Sequence, residues 1–180
     1  EYVYSEKEEP LEERLGCLLR EKKMTVAVAE SCTGGLLGHR LTNVSGSSAD
    51  FRGGAIAYSD ELKRRLLGVP GSLIRSAGAV SPEAARAMAE GVLRRTGADF
   101  GLAVTGIAGP SGGTPEKPVG LVFTALASSQ GTDVVKNLFW GRRELVKFQS
   151  TQKAMDMLRR HLLRVPESGR PNSPGKQAGP

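Results

Sequence analysis

The apolar run Thr25-Val26-Ala27-Val28 passes without a break into Ala29-Glu30-Ser31-Cys32-Thr33-Gly34-Gly35, and leucines at 36, 37 and 41 follow at helical spacing. This spells strand, tight turn, helix. A strand that feeds a helix directly belongs in a layered α/β domain, where the helix folds back onto the sheet. The alternation recurs. Gly53 to Tyr58 reads as a second strand, Ser59 caps the helix after it and Gly68 ends that helix. Ser81-Pro82-Glu83 is a helix start, with a cap, a proline at the first position and an acid in the first turn. That helix runs to Thr96 and stops at Gly97, and Phe100 to Val104 is a third strand.

The ends of the chain read differently. Leu11, Leu15, Leu18 and Leu19 mark a helix over 10–22. Gly106 to Pro118 is a Gly- and Pro-rich loop of a length that is often functional. Val119–Ala127 and Asp133–Trp140 pair as a hairpin across Ser128–Thr132. A last helix spans about 143–163, with Leu145, Phe148, Met155, Leu158 and Leu162 on one side. The expectation is one α/β domain over 10–164, a layered α/β/α arrangement whose mixed sheet ends in a β-hairpin. Residues 165–180, rich in Pro, Gly and Ser, are expected to be disordered.

Composition narrows the partners. No apolar stretch approaches the roughly 20 residues that span a bilayer, and no secretory leader pattern is visible, so no membrane partner is expected. Two cysteines, Cys17 and Cys32, make no disulfide framework, which points to the cytoplasm. The net charge of +6 is uneven: residues 1–14 set six glutamates against Lys7 and Arg14, which is −4, and this leaves +10 for the rest. A basic domain suits an anionic small molecule, a membrane surface or nucleic acid. The five phenylalanines and Trp140 show no stacking pattern, so no nucleic acid is expected. The groups Lys63-Arg64-Arg65 and Arg159-Arg160-His161 otherwise read as ordinary solvated helix faces.

In α/β sheets, ligands gather beyond the strand ends. Ser31, Tyr58 and Thr105 each lie at or just past a predicted strand end, so parallel strands would put all three on one rim. Ser31 reads as a nucleophile beside free helix amides, or simply as a helix N-cap. A serine needs a base. His39 is eight residues on, about 12 Å along the helix axis, and His161 lies near the tail, so a Ser-His-Asp arrangement does not fit. Lys63 can serve if burial or the positive potential from the helix start and Arg64 makes it neutral. On residue type alone it is a solvated lysine. Tyr58, five residues earlier, can relay a proton. Cys32 is a rival nucleophile if the helix start lowers its thiol pKa, or a buried small residue. Thr105-Gly106-Ile107-Ala108-Gly109-Pro110 can wrap a ligand with backbone amides or be a plain turn; it lacks a Walker lysine. No Cys/His/Asp/Glu group has metal-ligand spacing, so no metal and no cofactor are expected.

Ala27–Gly35, Gly46-Ser47-Ser48, Ala57-Tyr58-Ser59 through Lys63, Leu67-Gly68-Val69, Gly78–Ser81, Met88–Gly91, Val104–Pro110 and Pro115–Gly120 together resemble the CinA C-terminal domain family, in this order and over about residues 10–163. The family includes stand-alone nicotinamide-nucleotide amidases. The resemblance implies hydrolysis of the carboxamide of nicotinamide mononucleotide to nicotinic acid mononucleotide and ammonia, a step of pyridine nucleotide salvage. It implies Ser31 as nucleophile with Lys63 and Tyr58 as partners. It further implies a substrate pocket lined by Cys32, Thr33, Gly34, Gly35, Ser48, Thr105 and Gly106. Gly141-Arg142-Arg143 matches the family's Gly-x-Arg, which gives Arg143 a phosphate-binding or structural role. A homo-oligomer is expected. The family often stands behind a larger N-terminal domain related to molybdopterin-binding folds, so residues 1–9 read as a linker remnant and the chain as an excised half. The rival reading is a non-catalytic nucleotide-binding or oligomerisation module of a two-domain competence- or damage-inducible protein.

Overall fold

The computed structural model describes residues 9–164. The expected linker remnant over 1–9, apart from its last residue, and the expected disordered tail over 165–180 lie outside the described residues. The elements run α1 (Leu11–Lys22), β1 (Val26–Glu30), α2 (Leu36–Thr42), a 3₁₀ turn (Ser47–Ala49), β2 (Phe51–Ile56), α3 (Asp60–Leu67) and α4 (Gly71–Ala77). They continue through α5 (Pro82–Thr96), β3 (Phe100–Gly106), β4 (Leu121–Ser128), β5 (Gly131–Leu138) and α6 (Arg143–Arg164).

The five strands form one mixed sheet in the order β2-β1-β3-β4-β5. β2, β1 and β3 are parallel, with Glu30 level with Ile56 on one side and Val104 on the other. β4 and β5 are the antiparallel hairpin, closed where Ser128 pairs with Gly131. Period-two alternation sorts the core into two layers. Val26, Val28, Phe100, Leu102, Val104, Val122 and Leu126 face a large-residue core shared with α1, α2 and α6. Ala27, Ala29, Ala103, Phe123, Ala125 and Ala127 face the other way, toward α3 and α5. The result is an α/β/α sandwich.

The small residues on the second face let α5 lie close. A Cβ on Gly101 would overlap the Ala89 carbonyl, and one on Gly91 would overlap the Leu67 carbonyl at the end of α3. Backbone cannot yield as a flexible side chain can. Gly91→Ala is therefore expected to cost about 2–3 kcal/mol, as overpacking of a dense interior does, and chemical denaturation measures it.

Several boundaries differ from the sequence expectation: β4 and β5 run Leu121–Ser128 and Gly131–Leu138, displaced by one or two residues from Val119–Ala127 and Asp133–Trp140, and β3 continues past Val104 to Gly106. β2 starts at Phe51 rather than Gly53 and ends before Tyr58, because the edge strand is half-buried with no continuous apolar run. α4 is a helix beyond the sequence expectation; none of its residues is fully buried, and Leu73 and Ile74, partly buried against the core, are too short a stripe to show a helical period. On α6 the core side carries Val146, Met155, Leu158 and Leu162, while Leu145 and Phe148 are exposed.

Candidate functional site

The chain leaves β1 for β2 by way of α2 on one face and returns from β2 to β3 by way of α5 on the other, crossing behind β1. A crevice opens where such a sheet reverses direction, beyond the carboxyl end of the central strand. Ser31 is the residue that follows β1. Its N–H donates to the Val104 carbonyl (3.0 Å), and Ala57 N–H donates to the Glu30 carbonyl (2.7 Å), so the tip of β1 is pinned from both sides. Ser31 is 7% exposed. Its hydroxyl has no hydrogen-bond partner among the described residues.

The turn after Ser31 needs glycine. Gly34 and Gly35 have φ of 62° and 99°, and α2 begins from them. Ser31 is not the N-cap; Gly35 is, and the capping group comes from the strand. The Glu30 side chain, 1% exposed, accepts from Gly35 N–H (3.0 Å), Leu37 N–H (3.0 Å) and Gly38 N–H (2.8 Å). The helix amides expected to be free for an anion are therefore engaged. Cys32 and Thr33 N–H are the donors of the turn left without a backbone or carboxylate acceptor among the described residues. Glu30→Ala would leave three donors at the start of α2, that of Leu37 buried and those of Gly35 and Gly38 part-buried, without their acceptor and is expected to cost about 3 kcal/mol, read as a lower unfolding midpoint.

Cys32 lies in the large-residue core, and burial, reinforced by Glu30, pushes its thiol up to about 12. That is the reverse of the lowering expected of a helix start, and it leaves Cys32 as the buried small residue. The neighbouring Thr33 hydroxyl is fully buried with no partner.

Lys63 is buried, at 2% exposed, and not solvated. Ser59 caps α3 through Leu62 N–H (3.1 Å), which turns Lys63 back under Tyr58. Its Nζ donates to the Tyr58 carbonyl at 3.4 Å and lies 3.7 Å from the exposed Asp60 carboxylate. Burial lowers its pKa, with Asp60, Cys32 and Tyr58 opposing. The cause is burial rather than Arg64, which is not among the groups acting on it. Lys63 and the Cys32 thiol influence each other's ionisation, which places the two charges within electrostatic range of one another.

Tyr58 is largely exposed, and its hydroxyl accepts from Arg143 Nη2 at 3.0 Å; Arg143 Nη1 donates to the Gly109 carbonyl at 2.8 Å. One side chain thus ties α6 to the end of β2 and to the loop after β3. Thr105 is buried, and its hydroxyl donates to the Ala79 carbonyl (2.8 Å), which fastens β3 to the segment before α5. Gly106 pairs with Val122 in the β3–β4 ladder. Ser31, Tyr58, Lys63, Thr105, Gly106 and Arg143 therefore share one rim.

The sequence profile of the CinA C-terminal domain matches residues 8–162. This chain belongs to the CinA C-terminal domain family. It is 51% identical over 162 residues to a CinA-like protein of Citrifermentans bemidjiense and 50% identical over 161 residues to one of Koribacter versatilis. Those alignments cover 90% and 89% of this chain but 39% of each relative, so the CinA domain spans about two fifths of the curated relatives it matches. A crystal structure of a competence-damaged protein (CinA) superfamily protein from Klebsiella pneumoniae superposes with a TM-score of 0.83 at 32% identity, covering 86% of this chain and 97% of that one. A competence/damage inducible protein from Agrobacterium tumefaciens superposes at 0.81 with 36% identity, covering 89% and 100%.

One expected pocket residue of the CinA domain is elsewhere. Ser48 is exposed in the turn before β2, where Asp50 meets Val26 at the start of β1. The parallel pairing puts it at the opposite end of the sheet from Ser31, roughly 16 Å away for a five-residue strand. Within this chain Ser48 does not line the Ser31 rim. Two residues of the rim escaped the sequence reading. Glu30 was visible as an acid at a strand tip, without a role. Lys147, one turn after Arg143, places its Nζ over Gly34, 3.9 Å from where a Cβ would be. Among the described residues no His/Cys/Asp/Glu group could hold a metal ion, and no helix is long and apolar enough to cross a membrane.

Proposed function

We propose that this CinA domain is an amidase that hydrolyses the carboxamide of nicotinamide mononucleotide to nicotinic acid mononucleotide and ammonia. The observation that carries the reading is Lys63, a buried amine with a lowered pKa, beneath Tyr58 on the same rim as Ser31, whose hydroxyl is unengaged. A lysine whose pKa is lowered by burial gives up its proton more readily than an ordinary one and so can serve as the base for a serine.

In this mechanism Lys63 takes the Ser31 proton as Oγ attacks the carboxamide carbon. The oxygen of the tetrahedral intermediate carries the negative charge and meets the Cys32 and Thr33 amides, the donors that Glu30 leaves open. Lys63, or Tyr58 through its hydroxyl, returns a proton to the nitrogen as the C–N bond breaks and ammonia departs. Water then cleaves the acyl ester, with Lys63 again accepting a proton, and Ser31 is restored. Arg143 holds Tyr58 at the rim.

The test is direct. The purified chain is incubated with nicotinamide mononucleotide and ammonia is measured. Ammonia together with nicotinic acid mononucleotide in equal amounts supports the reading. Nucleotide binding without any ammonia favours the module reading instead, which the chain's two-fifths share of its relatives' length keeps in play.

A further inference from the structure

We propose that Lys117 is a positioning residue that fixes the loop after β3 and the segment between α4 and α5 as one wall of the Ser31 site; this rests on the amidase reading above. The chain between α4 and α5 belongs to no strand. Yet four successive carbonyls there, from Ala77 to Val80, each accept from a side chain. The Lys117 ammonium donates to the Ala77 carbonyl (2.8 Å) and the Val80 carbonyl (2.9 Å). The Thr105 hydroxyl donates to Ala79 between them (2.8 Å), and the Ser81 hydroxyl to Gly78 (2.9 Å). Three of the four carbonyls are therefore held from β3 and its loop. Gly78 gives the ammonium its room: its φ is 84°, and a Cβ there would stand 2.8 Å from Lys117 Nζ.

The loop itself supplies the lever. Its base is zipped, with Ile107 N–H donating to the Leu121 carbonyl (2.9 Å) and Gly120 N–H to the Ile107 carbonyl (2.7 Å). Beyond that base, residues 110–116 are exposed. A turn from Thr114 to Lys117 is closed by Thr114 N–H on the Lys117 carbonyl (2.9 Å) and Lys117 N–H on the Thr114 hydroxyl (3.1 Å). Two cations then tie the loop to the body: Arg143 through the Gly109 carbonyl, and Lys117 through Ala77 and Val80. Lys117 makes no ion pair among the described residues, so its charge rests on carbonyl dipoles, and charge-assisted bonds of this kind are the strong ones. Because Thr105 bonds to Ala79 between the two Lys117 acceptors, a shift of this segment moves the β3 tip on the Ser31 rim. Lys117 bonds to neither Ser31 nor Lys63. It acts on where the substrate lies and not on proton transfer.

The test removes the ammonium and keeps its stem. With nicotinamide mononucleotide, Lys117→Met should raise KM about tenfold, the scale of one charge-assisted hydrogen bond, while kcat stays within about threefold, the pattern of lost uniform binding. Lys117→Arg, which can also donate to two carbonyls, should restore most of the loss. Lys117→Gln carries the same measurements if the methionine variant does not fold. Hydrogen exchange reads the clasp without turnover: in Lys117→Met the amides of 77–81 and 108–117 should exchange faster together, while those of β1 and α6 keep their wild-type rates. Calorimetric titration of Ser31→Ala with the nucleotide should weaken about tenfold when Lys117→Met is added. A fall in kcat with KM unchanged, or no change in either, would overturn the role. So would faster exchange in the loop but not in 77–81, a loss of stability with unchanged binding, or no nucleotide binding by Ser31→Ala. If the wild-type chain releases no ammonia, the amidase reading fails, and exchange and calorimetry alone decide the clasp.

Discussion

Ser31→Ala will reduce ammonia release from nicotinamide mononucleotide by about 10³-fold or more, as removal of a nucleophile does, while nucleotide binding stays within a few-fold of wild type. The Ser31 backbone is what holds the turn, through Val104, and the side chain has no partner to lose. The variant should therefore fold and bind normally. Ammonia assay and calorimetry on the same preparation separate the two effects. A variant keeping a tenth of wild-type turnover would remove Ser31 from the mechanism. It would not pass the role to Cys32, whose thiol is buried in the core and pushed up to about 12; at neutral pH such a group offers almost no thiolate.

How much of this rim could be read in advance depended on the range of the interactions involved. Ser31, Tyr58 and Thr105 came together because strand ends are local signals and the two parallel pairings multiply them. The helix starts at Ser59 and Ser81 were legible for the same reason, since a cap acts within one turn. Glu30 was not. Its capping of α2 depends on Gly34 and Gly35 folding the chain back on itself, and an acid after an apolar run carries no mark of that. Ser48 misled because a motif order along the chain does not say which end of the sheet each motif reaches. Only the direction of β2 decides that. Lys147 was hidden by distance: its place over Gly34 exists because α6 packs across the sheet onto the β1–α2 turn, and on its own helix it is one more basic residue. Lys63 stood between these cases. Position five residues past Tyr58 named it, but only the packing of α3 shows that it is buried.

Lys63 gives the second large effect, and its variants separate charge from basicity. Lys63→Arg keeps a positive charge but has no accessible neutral form. It should lose about 10³-fold or more in turnover, close to the loss in Lys63→Met. The pH profile tests the same point. The base must be neutral, so kcat/KM of the wild-type chain should rise with pH through an apparent pKa below the ordinary lysine value of 10.5, because burial depresses it. Stability carries an independent signature. A lysine whose folded pKa lies below its unfolded value weakens the fold wherever both states hold the proton. As pH rises from the folded pKa toward 10.5, the unfolded chain binds the extra proton, so stability rises across that window. Lys63→Met has no such charge to bury and should unfold at a higher temperature than wild type at neutral pH, with the gap narrowing as pH rises through the window. An inactive variant more stable than its parent is expected where function, and not folding, requires a buried amine. Near wild-type activity in Lys63→Arg would show that the positive charge alone was needed. A flat pH profile together with a less stable methionine variant would make Lys63 a structural residue.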